Sequence, residues 1–315
     1  MSDTSNARSG GDRVAVIGLG SMGAGMARSL LRAGFAVAGF DVNPAAVRMF
    51  EDGGGTGASS PAAAAAEASA VISVVLNAAQ TEAVLFGDGG CAAAMPEGSV
   101  FISSATMAPS AARDLAARLG DFGVHYLDAP ISGGAQRAAE GALTILASGP
   151  PAAMAAAETV LAAMAAKVFR LGEEVGTAAG LKIVNQLLAG VHIAVACEAM
   201  AFANAHHLDL ATVYDVIKNS AGNSWMFENR VPHILDHDYT PRSATDIFVK
   251  DLGIVLDIAR ADRIPVPLAS TALQSFLMTS AAGMGREDDA SVFRLYERIR
   301  GSRGDETAAL RPNDH

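Results

Sequence analysis

Between Val175 and Cys197 a single formally charged side chain, Lys182, stands in a run of apolar, small, amide and imidazole residues. An unpaired ammonium is costly to bury, so lysines usually reach water with the stem lying on apolar surface. The alternative is chemical. A free lysine titrates near ~10.4 and is a poor base at neutral pH, but desolvation and a nearby cation lower that value. A lysine so placed takes a proton from a hydroxyl, or returns one to an alkoxide. On a helix, Lys182, Asn185, Gln186 and Ala189 share one face, which groups the cation with two amides.

A second constellation lies near the start. Gly18-Leu19-Gly20-Ser21-Met22-Gly23 follows the apolar run Arg13 to Ile17 and precedes a helical pattern through Leu31; Asp41 stands 21 positions after Gly20. In a strand–turn–helix unit of this kind, Gly18 permits the tight turn and Gly20 lets backbone approach a pyrophosphate. Gly23 lets helix and strand pack closely, and the helix N-terminus faces the phosphates. An acid at Asp41 accepts hydrogen bonds from the adenosine ribose, and a 2′-phosphate there would meet a carboxylate, which favours NAD over NADP.

These groups need a scaffold. Strand-like runs at Phe35 to Phe40, Ala70 to Leu76, Val100 to Ser103, Val124 to Asp128 and Ala142 to Ala147 alternate with helical segments. The pattern predicts an α/β fold: a doubly wound parallel sheet of Rossmann type. Pro61 opens an alanine-rich helix. After Glu174 strand signals vanish. One long helix over 176–205 and further helices over 210–220, 247–261 and 266–282 predict an all-α second domain, joined by the long helix. The expected organisation is a disordered tail at 1–11, an NAD-binding domain at 12–174, a substrate and oligomerisation domain at 175–304 and a flexible tail at 305–315. Lys182 then lies at the domain junction, a common place for ligands.

The formal net charge of −10 argues against nucleic-acid and anionic-membrane partners. No signal-peptide core is visible, and the apolar runs are interrupted before the ~18 residues of a membrane span. Two distant cysteines, Cys91 and Cys197, fit a reducing, cytoplasmic setting. No metal-ligand cluster is expected, and His206-His207 is read as a surface helix end.

Four ordered motifs carry a resemblance. They are Gly18 to Gly23 with Met26-Ala27; Asp128-Ala129-Pro130-Ile131-Ser132-Gly133-Gly134; Gly176 through Lys182 and Asn185; and Lys250-Asp251-Leu252-Gly253. Together they resemble the β-hydroxyacid dehydrogenases. The resemblance implies that Ser132, Gly133 and Gly134 hold the substrate carboxylate, with Asn185 or Gln186 orienting the substrate. It makes Lys182 the catalytic lysine. It places Leu76, Asn77 and Thr106 beside the cofactor, and Lys250 over it. Two departures stand out: Gln186 where many members carry Asn, and Ala105 where Ser usually precedes the threonine.

Residues 181–203 and 224–253 are most similar to the family's L-threonate branch, which oxidises a four-carbon sugar acid to its 2-oxo acid with NAD. Asn223, Ser224, Glu228, Asn229, Arg230 and His233 are polar groups that fit such a substrate loosely, most of them expected to cap helices or face water. Trp225, Met226 and Phe227 are expected to pack in a core or lid. Two further readings stay open: 3-hydroxyisobutyrate or tartronate semialdehyde chemistry on the same catalytic parts, and a dinucleotide-binding module without catalysis. The long apolar helix leads to the expectation of a homodimer or homotetramer.

Overall fold

The computed structural model describes residues 12–309 of the 315. The tail expected at 1–11 lies outside them. The final helix is drawn to Ala309, into the stretch expected as a flexible tail, whose remainder is also outside the described residues. The chain divides into two compact units, Met1–Lys182 and Ile183–His315.

The first unit is built on a six-stranded parallel sheet: β1 Arg13–Ile17, β2 Ala36–Phe40, β3 Thr56–Gly57, β4 Ala70–Ser73, β5 Val100–Ser103 and β6 His125–Asp128, in the order β3-β2-β1-β4-β5-β6. The order reverses between β1 and β4, and at such a switch point the strand ends open a ligand crevice. Strand residues are apolar on both faces because both are covered. Val14, Val16, Ile72 and Ile102 join one core with α1 (Ser21–Arg32), α2 (Pro44–Asp52), α6 (Gly134–Glu140) and α7 (Pro151–Met164). Ala15, Ile17, Val71 and Phe101 join another with α3 (Pro61–Ala65), α4 (Ala78–Phe86) and α5 (Pro109–Gly120). Proline opens α2, α3, α5 and α7, where its missing N–H costs nothing.

One strand goes elsewhere than expected. The run over 142–147 becomes β8 (Leu143–Ala147), which leaves the parallel sheet and lies between β7 (Ile131–Ser132), antiparallel, and β9 (Ala165–Arg170), parallel. Two residues, Ala129 and Pro130, separate β6 from β7, and the chain then reverses through Gly133-Gly134 and the seven-residue α6. A reversal that short leads to an antiparallel partner, since a parallel crossover needs about a dozen residues or more.

The helix α8, Thr177–Ala205, is 29 residues long, and the boundary between the units falls within it. By length and composition it could cross a membrane, contrary to the expected interruption: its Gly, Asn and His residues leave the mean hydropathy at 1.5. Half of that apolar window is buried in the protein.

In the second unit, α8 packs with α10 (Trp225–Leu235), α11 (Thr245–Asp262) and α12 (Pro267–Thr279) through Ile193, Cys197, Phe227, Val231, Phe248, Leu252 and Phe276. α9 (Leu210–Ile217) precedes them and α13 (Val292–Ala309) follows. The helix expected to reach 282 stops at Thr279 and passes into a wide turn with Gly283 at φ 86°. Arg230 forms a buried ion pair with Asp289, and His233 Nδ1 a buried hydrogen bond with Asp288, between α10 and the turn before α13.

Candidate active site

The glycine loop after β1 has little room where the motif demands it. A Cβ on Gly18, whose φ is +93°, would fall 2.7 Å from the Val74 carbonyl oxygen, and one on Gly23 would fall 1.8 Å from the Gly18 carbonyl oxygen. Gly20 is the opposite: nothing stands within 4 Å of its Cβ position. It caps α1 with no side-chain hydrogen bond, so the first-turn N–H groups of that helix, from Ser21 onward, have no side-chain cap. An open backbone at a bare helix N-terminus suits a pyrophosphate.

Asp41 follows β2 and has a second task beside its expected one. Its Oδ2 accepts from Leu19 N at 2.7 Å and its Oδ1 from Asn43 N at 2.8 Å, so the carboxylate braces the glycine loop. A carboxylate has about four lone-pair positions and retains capacity for ribose hydroxyls. An open cavity of about 410 Å³ adjoins it, lined by Phe40, Val47, Arg48, Ala58 and Ser59 among others. Arg48 was not expected here. With both signs of charge at this cavity, Asp41→Ala is expected to weaken NAD binding and to narrow the preference for NAD over NADP about tenfold or more, measured as the ratio of kcat/KM values.

Leu76 and Asn77 follow β4. Asn77 caps α4 by accepting from Gln80 N at 2.9 Å, and Leu76, exposed, donates its N–H to Gln80 Oε1. Thr106, half-buried, stands in the loop after β5. Ser73 and Ser104, at and just after the ends of these same strands, are buried with hydroxyls that have no hydrogen-bond partner in the structure. Open glycine, uncapped helix and orphaned hydroxyls at the strand ends are what a dinucleotide would complete, so the residues present fit the group.

Lys182 is 8% exposed, and its Nζ donates to the Ile131 carbonyl at 2.8 Å. Ile131 immediately precedes Ser132-Gly133-Gly134, so the structure joins the lysine to the expected carboxylate loop. Gly133 (φ +137°) and Gly134 (φ +78°) take backbone conformations that side chains disfavour, and Gly134 faces open space. The helix that carries Lys182 is anchored by Asp128. That carboxylate ends β6 and accepts from Gly176 N at 3.0 Å and Ala179 N at 2.8 Å, while Ser148 Oγ accepts from Ala178 N at 3.0 Å. Two side chains thus pin the first turn of α8, ahead of the lysine. Burial pushes the Asp128 carboxyl up to about 6 despite these bonds. The sequence showed Asp128 only as part of a motif; its spacing from Gly176 gave no hint of a cap.

In the second unit, Asn185 is exposed and Gln186 is buried. Asn185 Nδ2 donates to Gln186 Oε1 at 2.9 Å, and Gln186 Nε2 donates to Asp251 Oδ2 at 2.5 Å. Lys250 Nζ lies 2.5 Å from Asp251 Oδ1. Lys250, expected over the cofactor, is thus held by its neighbouring carboxylate. Of the loosely matching polar residues, Ser224 caps α10, Arg230 is spent on a buried ion pair with Asp289 and His233 on a hydrogen bond with Asp288. Trp225 is exposed and Phe227 lies in the core. Among the described residues no group of three or more His, Cys, Asp or Glu side chains could hold a metal ion.

Residues 13–172 match the family profile of the NAD binding domain of 6-phosphogluconate dehydrogenase, and residues 176–296 that of NADP-dependent 3-hydroxyisobutyrate dehydrogenase. The chain belongs to the β-hydroxyacid dehydrogenases. It is an NAD-dependent dehydrogenase of that family. L-threonate dehydrogenase of Cupriavidus necator is 55% identical over 91% of this chain and 96% of its own length. That of Escherichia coli is 48% identical over 91% and 95%. A crystal structure from Salmonella typhimurium, titled 3-hydroxyisobutyrate dehydrogenase, has a TM-score of 0.85 and 48% identity, covering 90% of this chain and 99% of that one.

Proposed function

We propose that this dehydrogenase oxidises L-threonate at C2 to 2-dehydro-L-erythronate. The observation that carries the reaction is the buried Lys182 Nζ bonded to the carbonyl before Ser132-Gly133-Gly134, a base beside a carboxylate loop. The L-threonate dehydrogenases at 48–55% identity over nine-tenths of the chain support the substrate.

The Ser132 hydroxyl and the backbone of Gly133 and Gly134 bind the substrate carboxylate and so set the C2 hydroxyl toward Lys182. A neutral amine can donate one N–H to Ile131 and still offer its lone pair, so Lys182 takes the hydroxyl proton without leaving its anchor. In the reverse direction its ammonium protonates the alkoxide. Gly18 to Gly23 would cradle the pyrophosphate, Asp41 would hold the ribose, and Leu76, Asn77 and Thr106 would complete the first unit's cofactor contacts. Bound NAD supplies the acceptor for the C2 hydride. Asn185 and Gln186 stand within a turn of Lys182 on the same helix, where they serve the substrate.

NADH formation by purified protein with L-threonate, D-threonate, D-erythronate, 3-hydroxyisobutyrate and glycerate tests this. L-threonate is expected to be turned over with the highest kcat/KM. A preference for 3-hydroxyisobutyrate, the substrate in the Salmonella protein's title, or for glycerate would retain the lysine chemistry and sink the substrate; NAD binding without turnover of any acid would sink the catalytic reading.

We further propose that copies of this chain associate through α8. Val184, Leu188, Val195 and Phe202 are each at least half exposed and recur at helical spacing along one stripe. Exposed apolar stripes of this length mark interaction surfaces. Leu188→Glu with Val195→Glu is expected to shift the protein to monomer on size-exclusion chromatography with light scattering. An unchanged mass would place the interface elsewhere. Two free, buried thiols, Cys91 and Cys197, support a reducing cytoplasmic setting.

A further inference from the structure

The side chains of Asn185, Gln186 and Asp251 form a hydrogen-bond chain whose direction is set at one end. Asp251 is 1% exposed and lies beside the Lys250 ammonium; as a carboxylate it accepts and does not donate. Gln186, 7% exposed, must therefore turn its Nε2 toward Asp251 and its Oε1 away. That oxygen can only accept, and it takes the Nδ2–H of exposed Asn185. Each amide thus inherits its orientation from the carboxylate, and Asn185 is left presenting its carbonyl oxygen.

This polarity suits one kind of partner. An outward carbonyl oxygen repels a carboxylate and accepts from a hydroxyl. We propose that Asn185 reads a substrate hydroxyl beyond the reacting carbon, and that Gln186 and Asp251 are positioning residues that fix the Asn185 amide without touching the substrate. The proposal rests on the L-threonate reading, whose substrate carries hydroxyls at C3 and C4. It also gives the departure at Gln186 a physical reason. An asparagine there is one methylene shorter, loses its reach to Asp251 and leaves the Asn185 amide free to turn over.

The test compares kcat/KM for L-threonate with that for its 3-deoxy and 4-deoxy analogues at saturating NAD. The wild type is expected to favour L-threonate over one analogue by about tenfold or more, because the analogue leaves an acceptor unpaired. In Gln186→Asn that ratio is expected to fall to within about threefold of unity. Loosened packing would lower both rates together and leave the ratio alone. Asn185→Ala, which removes the acceptor, is expected to bring the ratio to within about threefold of unity. It decides the matter by itself if Gln186→Asn does not fold. An unchanged ratio in folded Gln186→Asn, or in Asn185→Ala, overturns the proposal alone. A wild type inert toward L-threonate overturns the substrate reading, and this inference with it.

Discussion

Lys182→Ala is expected to lower kcat for L-threonate oxidation by about 10²–10⁴-fold, the range of a positioned general base. NAD binding, followed by quenching of protein fluorescence or by calorimetry, should stay within a few-fold of wild type, because the glycine loop and Asp41 are untouched. The truncated side chain leaves space beside the Ile131 carbonyl where a small primary amine can sit. Added methylamine is therefore expected to restore part of the rate, increasingly at higher pH as more of it is neutral. Lys182→Arg, which keeps the charge but not a usable lone pair, should remain as impaired as the alanine variant. Activity within threefold of wild type in Lys182→Ala would remove the lysine from the chemistry.

The second large effect concerns Asp128, and its sign has to be worked out. Burial holds the folded carboxyl near 6, above the ordinary 3.8. The folded chain then binds this proton more tightly than the unfolded chain. The stability contributed by that proton is present in full below pH 4 and lost as pH rises to about 6, with no further change above. The lost amount is roughly 3 kcal/mol, about two pKa units at 1.36 kcal/mol each. Asn keeps an oxygen for the Gly176 and Ala179 N–H groups but carries no charge. The stability of Asp128→Asn relative to wild type should therefore rise by up to roughly 3 kcal/mol between pH 4 and 7, measured by urea unfolding. Asp128→Ala is a different case: it also strands two N–H groups at the start of α8 and should be about 2–4 kcal/mol less stable than Asp128→Asn at every pH. A pH-independent difference between wild type and the Asn variant would contradict this account of Asp128.

Much of the fold was legible because local rules and tertiary structure agree. β1, the glycine loop, α1, β2 and Asp41 form one continuous stretch whose roles follow from turn geometry and helix-end electrostatics. The long helix was legible as an unbroken run without proline. Strands β3, β7 and β9 were not read: two have only two residues, and β9 is half-buried or exposed along its whole length without a strict alternation. The run over 142–147 has the composition of a central parallel strand, and only the short return through α6 sends it to a separate sheet. The same limit applies at the site. Lys182 announced itself as a charge in an apolar helix, whereas Asp128 and Asp251 act across 48 and 65 residues of sequence, and no spacing rule connects such partners. The polar cluster around Arg230 shows the converse: residue types suited to hydroxyl recognition that are consumed by Asp288 and Asp289.

The central claim is that Lys182 takes the C2 hydroxyl proton of L-threonate while the C2 hydride goes to NAD. L-Threonate bearing deuterium at C2 tests it directly, by mass spectrometry of the NADH formed and by the rate of its formation. The account predicts one deuterium in each NADH, a 2-oxo acid as product, and loss of both in Lys182→Ala. NADH without deuterium, or a product oxidised at C3, would contradict it.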